Sequence, residues 1–133
     1  MGQEIKNAKE KISELFNQDK KKAKELDLQN KQGVYLIYKG KSIIYAGKSK
    51  NLKERIKNQH ISGAKDGKNS IFRKKLHEKY KIQYGKSMKD WIINNLKFSY
   101  IYIEDFDLCY LVEALAIIKA RKMYGKNLLN KNQ

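Results

Sequence analysis

Tyr35 and Tyr45 stand ten residues apart, in two short β-branched and aromatic runs separated by Lys39-Gly40-Lys41-Ser42. If the runs pair as a hairpin, their shared odd-numbered parity puts both phenols on one strand face before the turn. There they serve either cross-strand packing or proton transfer. Gly33 and Gly47 bracket the runs, as positions where the backbone needs close approach or an unusual dihedral. Just past Gly47, Lys48-Ser49-Lys50-Asn51-Leu52-Lys53-Glu54-Arg55 combines several cations with the opening amides of a helix, a place that can hold a phosphate. The glycine and lysine spacing of a P-loop is absent. Arg55 is one of three arginines, with Arg73 and Arg121, among 30 basic residues. It is either a surface side chain or a planar, bidentate grip on phosphate. Glu113 is the one charge in the run Leu108 to Ile118. A carboxylate among apolar helical neighbours needs a cation, supplied by a Lys or Arg in a partly buried ion pair or by a divalent metal.

These residues lie in a chain of 133 residues with a formal charge of +16. The length suits one domain. At 41% hydrophobic and 11% aromatic, the chain can bury a core, which excludes a disordered polycation. Most of the charge is in the middle: residues 28–103 carry 18 Lys or Arg against 4 Asp or Glu, a net of +14. A folded segment that basic points to a polyanion, and nucleic acid is the commonest. A membrane surface fits less well, because no amphipathic helix presents large exposed apolars. The single Cys109 makes no intrachain disulfide, and no Cys/His cluster suggests structural zinc. With no signal-peptide pattern and no long apolar run, the expected setting is soluble and reducing: cytoplasmic and nucleoid-associated.

The elements that must position the site follow from apolar spacing. Residues 3–28 have Ile5, Ala8, Ile12, Leu15, Phe16, Ala23 and Leu26 near a 3.6 period, which predicts an N-terminal helix with Lys20-Lys21-Lys22 on a solvated face. Val34 to Tyr38 and Ile43 to Ala46 predict a hairpin. A helix is expected from about Lys50 to His60 with Leu52 and Ile56 inward, then a loop at 62–69. Two helices follow at about 70–81 and 87–96, a strand from Phe98 to Ile103, and a last helix capped by Asp107 and running to about Met123. The order predicts an α/β (α+β) fold: a small three-stranded mixed or antiparallel sheet flanked by helices, with an extra N-terminal helix. In domain terms, 1–30 would be a helical extension and 31–133 the functional unit, with a helical insert at about 62–96.

Taken in order, Gly33-Val34-Tyr35, Tyr45-Ala46-Gly47, Lys48, Asn51-Leu52, Arg55, Glu113 and Asn130 resemble the signature of the GIY-YIG nucleases. The stretch Tyr45 to Ile56, YAGKSKNLKERI, is similar to the N-terminal incision domain of the bacterial excision-repair nuclease, and the likeness extends over about residues 31–133. The resemblance implies a metal-dependent endonuclease that hydrolyses DNA phosphodiesters with one Mg²⁺ or Mn²⁺ per site. By resemblance, Tyr35 takes a proton from the attacking water and Tyr45 positions water or phosphate. Arg55 holds the scissile phosphate, Lys48 adds to the cationic field, Glu113 binds the metal and Asn130 braces the site. A free tyrosine is a poor base at neutral pH, and Lys48, Arg55 and the metal are expected to favour the Tyr35 phenolate.

Departures from the family pattern are local. Val34 and Ala46 stand where the signature has isoleucines. Four residues beyond Arg55, where some members carry His or Tyr, the chain has Gln59, with His60 one place later as a further candidate. The proline that often precedes the terminal Asn is missing, and Asn127 rivals Asn130 for that position. Lys50, Lys53, Lys57, Arg73, Lys74 and Lys75 are the expected DNA-backbone contacts, Arg73 foremost in the insert. The expected partner is double-stranded DNA, with repair, restriction and mobile-element roles open and a dimer feasible. The competing reading is a catalytically inactive nucleic-acid-binding module of the same fold. An RNA-binding protein is weaker still, because no RNP or KH motif is evident.

Overall fold

The computed structural model of the chain describes residues 2–63 and 70–130. Its centre is a hairpin of β2 (Gly33–Lys39) and β3 (Ser42–Ser49), turned through Gly40 at a φ of 61°, which a glycine adopts without steric cost. β4 (Leu96–Tyr102) pairs antiparallel with the other side of β2, so β2 is central, and it is buried from Gly33 to Tyr38. This explains its sequence: a strand covered on both faces reads as a continuous apolar run rather than an alternating one.

The two faces have separate cores. On one, Val34, Leu36 and Tyr38 meet Ala8, Ile12 and Leu15 of α1 (Gly2–Phe16) and Cys109, Val112, Ala116 and Ala120 of α4 (Phe106–Tyr124). On the other, Tyr35 and Ile37 meet Leu52, Ile56 and Ile61, Phe72 and Leu76 of α2 (Ile71–Tyr80), and Met88 and Ile92 of α3 (Lys86–Asn95). A β-bulge shifts the hairpin register between Ile37 and Tyr38. Ile37 pairs with Tyr45 and Tyr38 with Ile43, so Ile44 is the extra residue. The bulge sends both Ile44 and Tyr45 toward the second core, re-aiming a side chain as such irregularities do near functional sites.

Four local expectations change. The N-terminal helix ends at Phe16 instead of running to residue 28. Lys21–Lys22 form a short strand, β1, antiparallel to β4, and the Gln18 side chain exchanges hydrogen bonds with the backbone N–H and C=O of Tyr100. The open edge of β4 needs partners for its backbone groups, and residues 18–22 provide them. The sheet is therefore four-stranded and antiparallel, in the order β1-β4-β2-β3, rather than three-stranded. The cap of α4 is Asp105, whose carboxylate accepts from the Asp107 N–H at 3.1 Å; Asp107 itself lies in the first turn. The helix after β3 is wound as a π-helix over Glu54–Ser62. Of the loop expected at 62–69, positions 64–69 lie outside the described residues. Among the described residues, no helix is long and apolar enough to cross a membrane.

Candidate active site

Both bracketing glycines are required by contact rather than by dihedral. A Cβ on Gly47 would sit 2.5 Å from the Tyr35 hydroxyl oxygen, because Tyr35 and Gly47 are register partners and the phenol lies across the neighbouring strand. A Cβ on Gly33 would sit 2.1 Å from the Ile101 carbonyl oxygen and 2.8 Å from Leu52 Cδ1, where β2, β4 and the start of the next helix crowd together.

Tyr35 is buried, with its ring centroid 6.3 Å from that of Tyr45 and 5.5 Å from that of His60. Its hydroxyl is 2.6 Å from His60 Nε2, and His60 Nδ1 is 2.6 Å from Ser70 Oγ, which also caps α2 by accepting the Arg73 N–H at 3.1 Å. The π-helix explains how His60 arrives there. Its i→i+5 hydrogen bonding, as in Gly63 N–H to Asn58 C=O at 2.8 Å, widens the turn. Residue 60, five past Arg55, then reaches the face that residue 59 would hold in an α-helix. Phe72 closes the cluster from α2, with ring centroids 5.2 Å from Tyr45 and 5.1 Å from His60.

Arg55 is the electrostatic centre. Its charge acts on Tyr35, Tyr45, His60 and Glu113 alike. Its Nε is buried and has no hydrogen-bond partner among the described residues. The Nε atoms of Arg73 and Arg121 share that feature, and what sets Arg55 apart is that it lines a cleft, where a guanidinium can meet an anion. That cleft has a volume of about 330 Å³ and lies between β3, the helix carrying Arg55 and the start of α4.

Glu113 reaches this region from α4 across the edge of β3. Its Oε1 is 4.0 Å from Lys48 Nζ, and both side chains are partly exposed. Burial raises the Glu113 carboxyl above its ordinary range, opposed by the Lys48 ammonium, by hydrogen bonding from the Lys48 backbone and by Arg55. Two further residues satisfy the same open edge. Leu129 N–H donates to Ile44 C=O, and Asn130 grips Ala46 at both ends, its Oδ1 accepting from Ala46 N–H at 2.8 Å and its Nδ2 donating to Ala46 C=O at 2.7 Å. Asn130 thereby fixes the strand between Tyr45 and Gly47. Asn127, the rival, makes an exposed contact to Ser42 Oγ at 3.2 Å.

Protonation states follow from burial. Desolvation pushes Tyr35 well above the ordinary phenol value; Tyr45 and Glu113 add to this, and Arg55 only partly opposes it. Among the protein's own groups burial outweighs the Arg55 charge, and Tyr35 keeps its proton at neutral pH. Tyr45 is raised as well, again mainly by burial. His60 is pushed down to about 3 by burial, Arg55 and Arg73, so its imidazole is neutral.

The expected site residues Tyr35, Tyr45, Lys48, Arg55, His60 and Glu113 thus come together, with Asn130 behind them. Lys50, Lys53 and Lys74 are exposed and Lys57 and Lys75 half-buried, as backbone-tracking residues require. Arg73 is different: it is fully buried, and its guanidinium donates to the Ser62 and Ile61 carbonyls at 3.1 and 3.3 Å. It ties α2 to the end of the π-helix and does not lie on a DNA-facing surface. Ser70 was not legible as a site residue; a serine before an apolar helical run signals a cap and nothing about residue 60.

Among the described residues no three His, Cys, Asp or Glu side chains gather into a metal cluster. Glu113 offers one carboxylate beside Lys48, which lines the cleft. That donor set fits a hard divalent cation which keeps most of its ligands as water and substrate oxygens.

A family model described as the GIY-YIG catalytic domain matches residues 11–122. Among solved structures, the chain is similar to the GIY-YIG N-terminal endonuclease domain of UvrC from Thermotoga maritima, a point mutant bound to its catalytic divalent cation. The identity is 19% and the TM-score 0.40, over 86% of this chain and 90% of that one. Comparison with curated proteins gives no match. With its signature residues assembled on this sheet and the family model spanning most of its length, the chain belongs to the GIY-YIG catalytic domain family, a family of nucleases.

Proposed function

We propose that the protein is an endonuclease that hydrolyses DNA phosphodiester bonds in the cleft between β3 and α4, with one Mg²⁺ or Mn²⁺ held by Glu113. The observation that carries this reading is Arg55, which lines the cleft while its charge acts on Tyr35, Tyr45 and Glu113. A phosphate there would accept from the guanidinium, with Lys48 and Lys50 adding to the attractive field.

Tyr35 and His60 handle the proton. Because Tyr35 is protonated at rest, it takes a proton from the attacking water only while giving up its own. His60 Nε2, at 2.6 Å, is the acceptor when Nδ1–H donates to Ser70 Oγ. The water proton goes to the Tyr35 oxygen and the Tyr35 proton to Nε2, while the hydroxide forms its bond to phosphorus as the bond to the leaving sugar oxygen breaks, that oxygen taking a proton from solvent water. Burial is the main cause that holds His60 neutral and the Arg55 charge a lesser one, so a phosphate bound at Arg55 offsets that lesser part and makes the imidazole a better acceptor. A divalent cation on Glu113 would supply positive charge beside the phosphate oxygens. Tyr45 lines the phosphate position, and Asn130 keeps β3 and Tyr45 in register.

Residues 31–133 are the nuclease unit on this reading, and 1–30 are an extension whose helix packs on α4. The protein is placed in the cytoplasm, with its DNA. The deciding experiment is plasmid or oligonucleotide cleavage with Mg²⁺, Mn²⁺ or chelator. Metal-dependent nicking that Glu113→Gln abolishes supports the reading. Salt-sensitive binding without cleavage in any metal overturns it in favour of an inactive DNA-binding module.

A further inference from the structure

Two large exposed rings at the start of α4 take no part in the core, and the first of them lines the cleft. Phe106 is 52% exposed and Tyr110 59% exposed, and their ring centroids are 6.4 Å apart. Phe106 lines the cleft together with Lys48, Lys50, Asn51 and Arg55. On α4, Phe106, Tyr110 and Glu113 follow i, i+4, i+7 spacing and share one helix face, so the aromatic pair runs directly into the carboxylate. Lys48 Nζ joins them, 5.1 Å from the Tyr110 ring centroid and 4.0 Å from Glu113 Oε1. The cleft therefore brings Lys48, Lys50 and Arg55 together with the Phe106 ring, and Tyr110 lies beside it against Lys48.

We infer that this surface binds an unpaired nucleobase of the DNA strand, next to the phosphate gripped at Arg55, by stacking it on Phe106 and Tyr110. The inference rests on the nuclease reading and names its substrate class. Charge complementarity selects the occupant: a chain that presents an anion and a flat π-face at neighbouring positions is a nucleic-acid strand. A base inside a regular duplex has both faces covered by its neighbours, so only a displaced or unpaired nucleotide exposes a face to these rings. The preferred substrate is accordingly DNA with a single-stranded, bulged or flapped nucleotide beside the cut, rather than uninterrupted duplex. The volume of about 330 Å³ falls at the lower end of the roughly 300–1,000 Å³ typical of small-ligand sites, enough for one nucleotide.

The test is binding by the full chain in chelator, so that nothing is cut. One oligonucleotide duplex carries a fluorescent adenine analogue as an unpaired bulge, and a second is fully paired. Wild type is expected to bind the bulged form more tightly and to quench its fluorescence. Phe106→Ala and Tyr110→Ala remove exposed rings and leave the core intact. Each is expected to weaken bulge binding about 5–150-fold, the equivalent of one stacking contact, to relieve the quenching and to leave the salt dependence unchanged. Equal binding of the two oligonucleotides by wild type, or variants that bind both like wild type, overturns the inference. So does a uniform loss on both, or a wild-type dimer that the substitutions dissociate, which would make the rings a contact for a second copy. The two readings fail separately. Metal-dependent cleavage abolished by Glu113→Gln but indifferent to Phe106 and Tyr110 leaves the nuclease standing without the stacking site. Quenching without cleavage in any metal does the reverse.

Discussion

The Tyr35 hydroxyl lies 2.6 Å from His60 Nε2 inside the protein, and a π-helix is what brings the two residues together. A phenol that burial keeps protonated faces an imidazole that burial keeps neutral. In the proposed mechanism that pairing puts His60 in the proton path. Replacing it with Ala should slow cleavage about 10²–10⁴-fold, the range of a lost acid–base group, while DNA affinity in chelator stays within about twofold. Single-turnover rates and anisotropy titrations on the same preparation separate the two effects.

The same histidine sets an acid limit on stability. Its folded pKa of about 3 lies below its unfolded value, so between about 6.5 and 3 the unfolded chain binds the extra proton. Unfolding free energy should therefore fall as pH drops through that window, with a contribution of about 1.4 kcal/mol per pH unit from this residue. Urea melts from pH 7 to 4 should show the slope in wild type and a shallower one in His60→Gln.

Gly47 should tolerate no side chain. In Gly47→Ala the added Cβ meets the Tyr35 oxygen at 2.5 Å, so the phenol must move away from His60. Overpacking of this kind costs about 1–3 kcal/mol, and cleavage should fall with it. In Gly33→Ala the obstacle is the Ile101 backbone carbonyl at 2.1 Å, which cannot swing aside as a side chain does. Denaturant midpoints should rank Gly33→Ala below Gly47→Ala.

Asn130 and Asn127 should separate cleanly. Asn130→Ala removes both hydrogen bonds to Ala46, at about 1 kcal/mol each, and frees the β3 edge next to Tyr45. Asn127→Ala should stay within about 0.5 kcal/mol of wild type, as exposed substitutions do. Thermal melts paired with cleavage assays check both.

Arg73 and Lys74, neighbours in sequence, should behave oppositely. Lys74 is exposed, and its loss should lower the slope of log K against log salt by about 0.9 if it contacts a phosphate. Arg73→Ala should leave that slope alone and cost at least about 2 kcal/mol of stability, through a lost buried side chain and lost charged hydrogen bonds. Salt titrations of DNA binding and urea melts distinguish them.

The hairpin, the glycines that bracket it and the order of helices after it can be read from the sequence, while Tyr35, Tyr45, Arg55 and Glu113 stand out there by type and place and take roles only through the resemblance to the GIY-YIG signature. These are legible because local spacing encodes them: β-branched runs around a turn, apolar residues at helical period, and a lone carboxylate in an apolar helix each leave a short-range mark. For Gly47 the sequence left close approach and an unusual dihedral both open, and the structure selects close approach. What only the tertiary structure decided depends on partners distant in the chain. The edge of β4 recruits Lys21–Lys22 some 75 residues away, which no local pattern announces. Arg73 looks like a surface cation until the carbonyls of Ile61 and Ser62 are seen to enclose it. The extra residue per turn in the π-helix puts His60, not Gln59, beside Tyr35, and Ser70 then completes the line. Protonation was decided there too. The sequence counts the cations around Tyr35, but the energy of its phenolate depends on the water removed from it, and only folding removes the water.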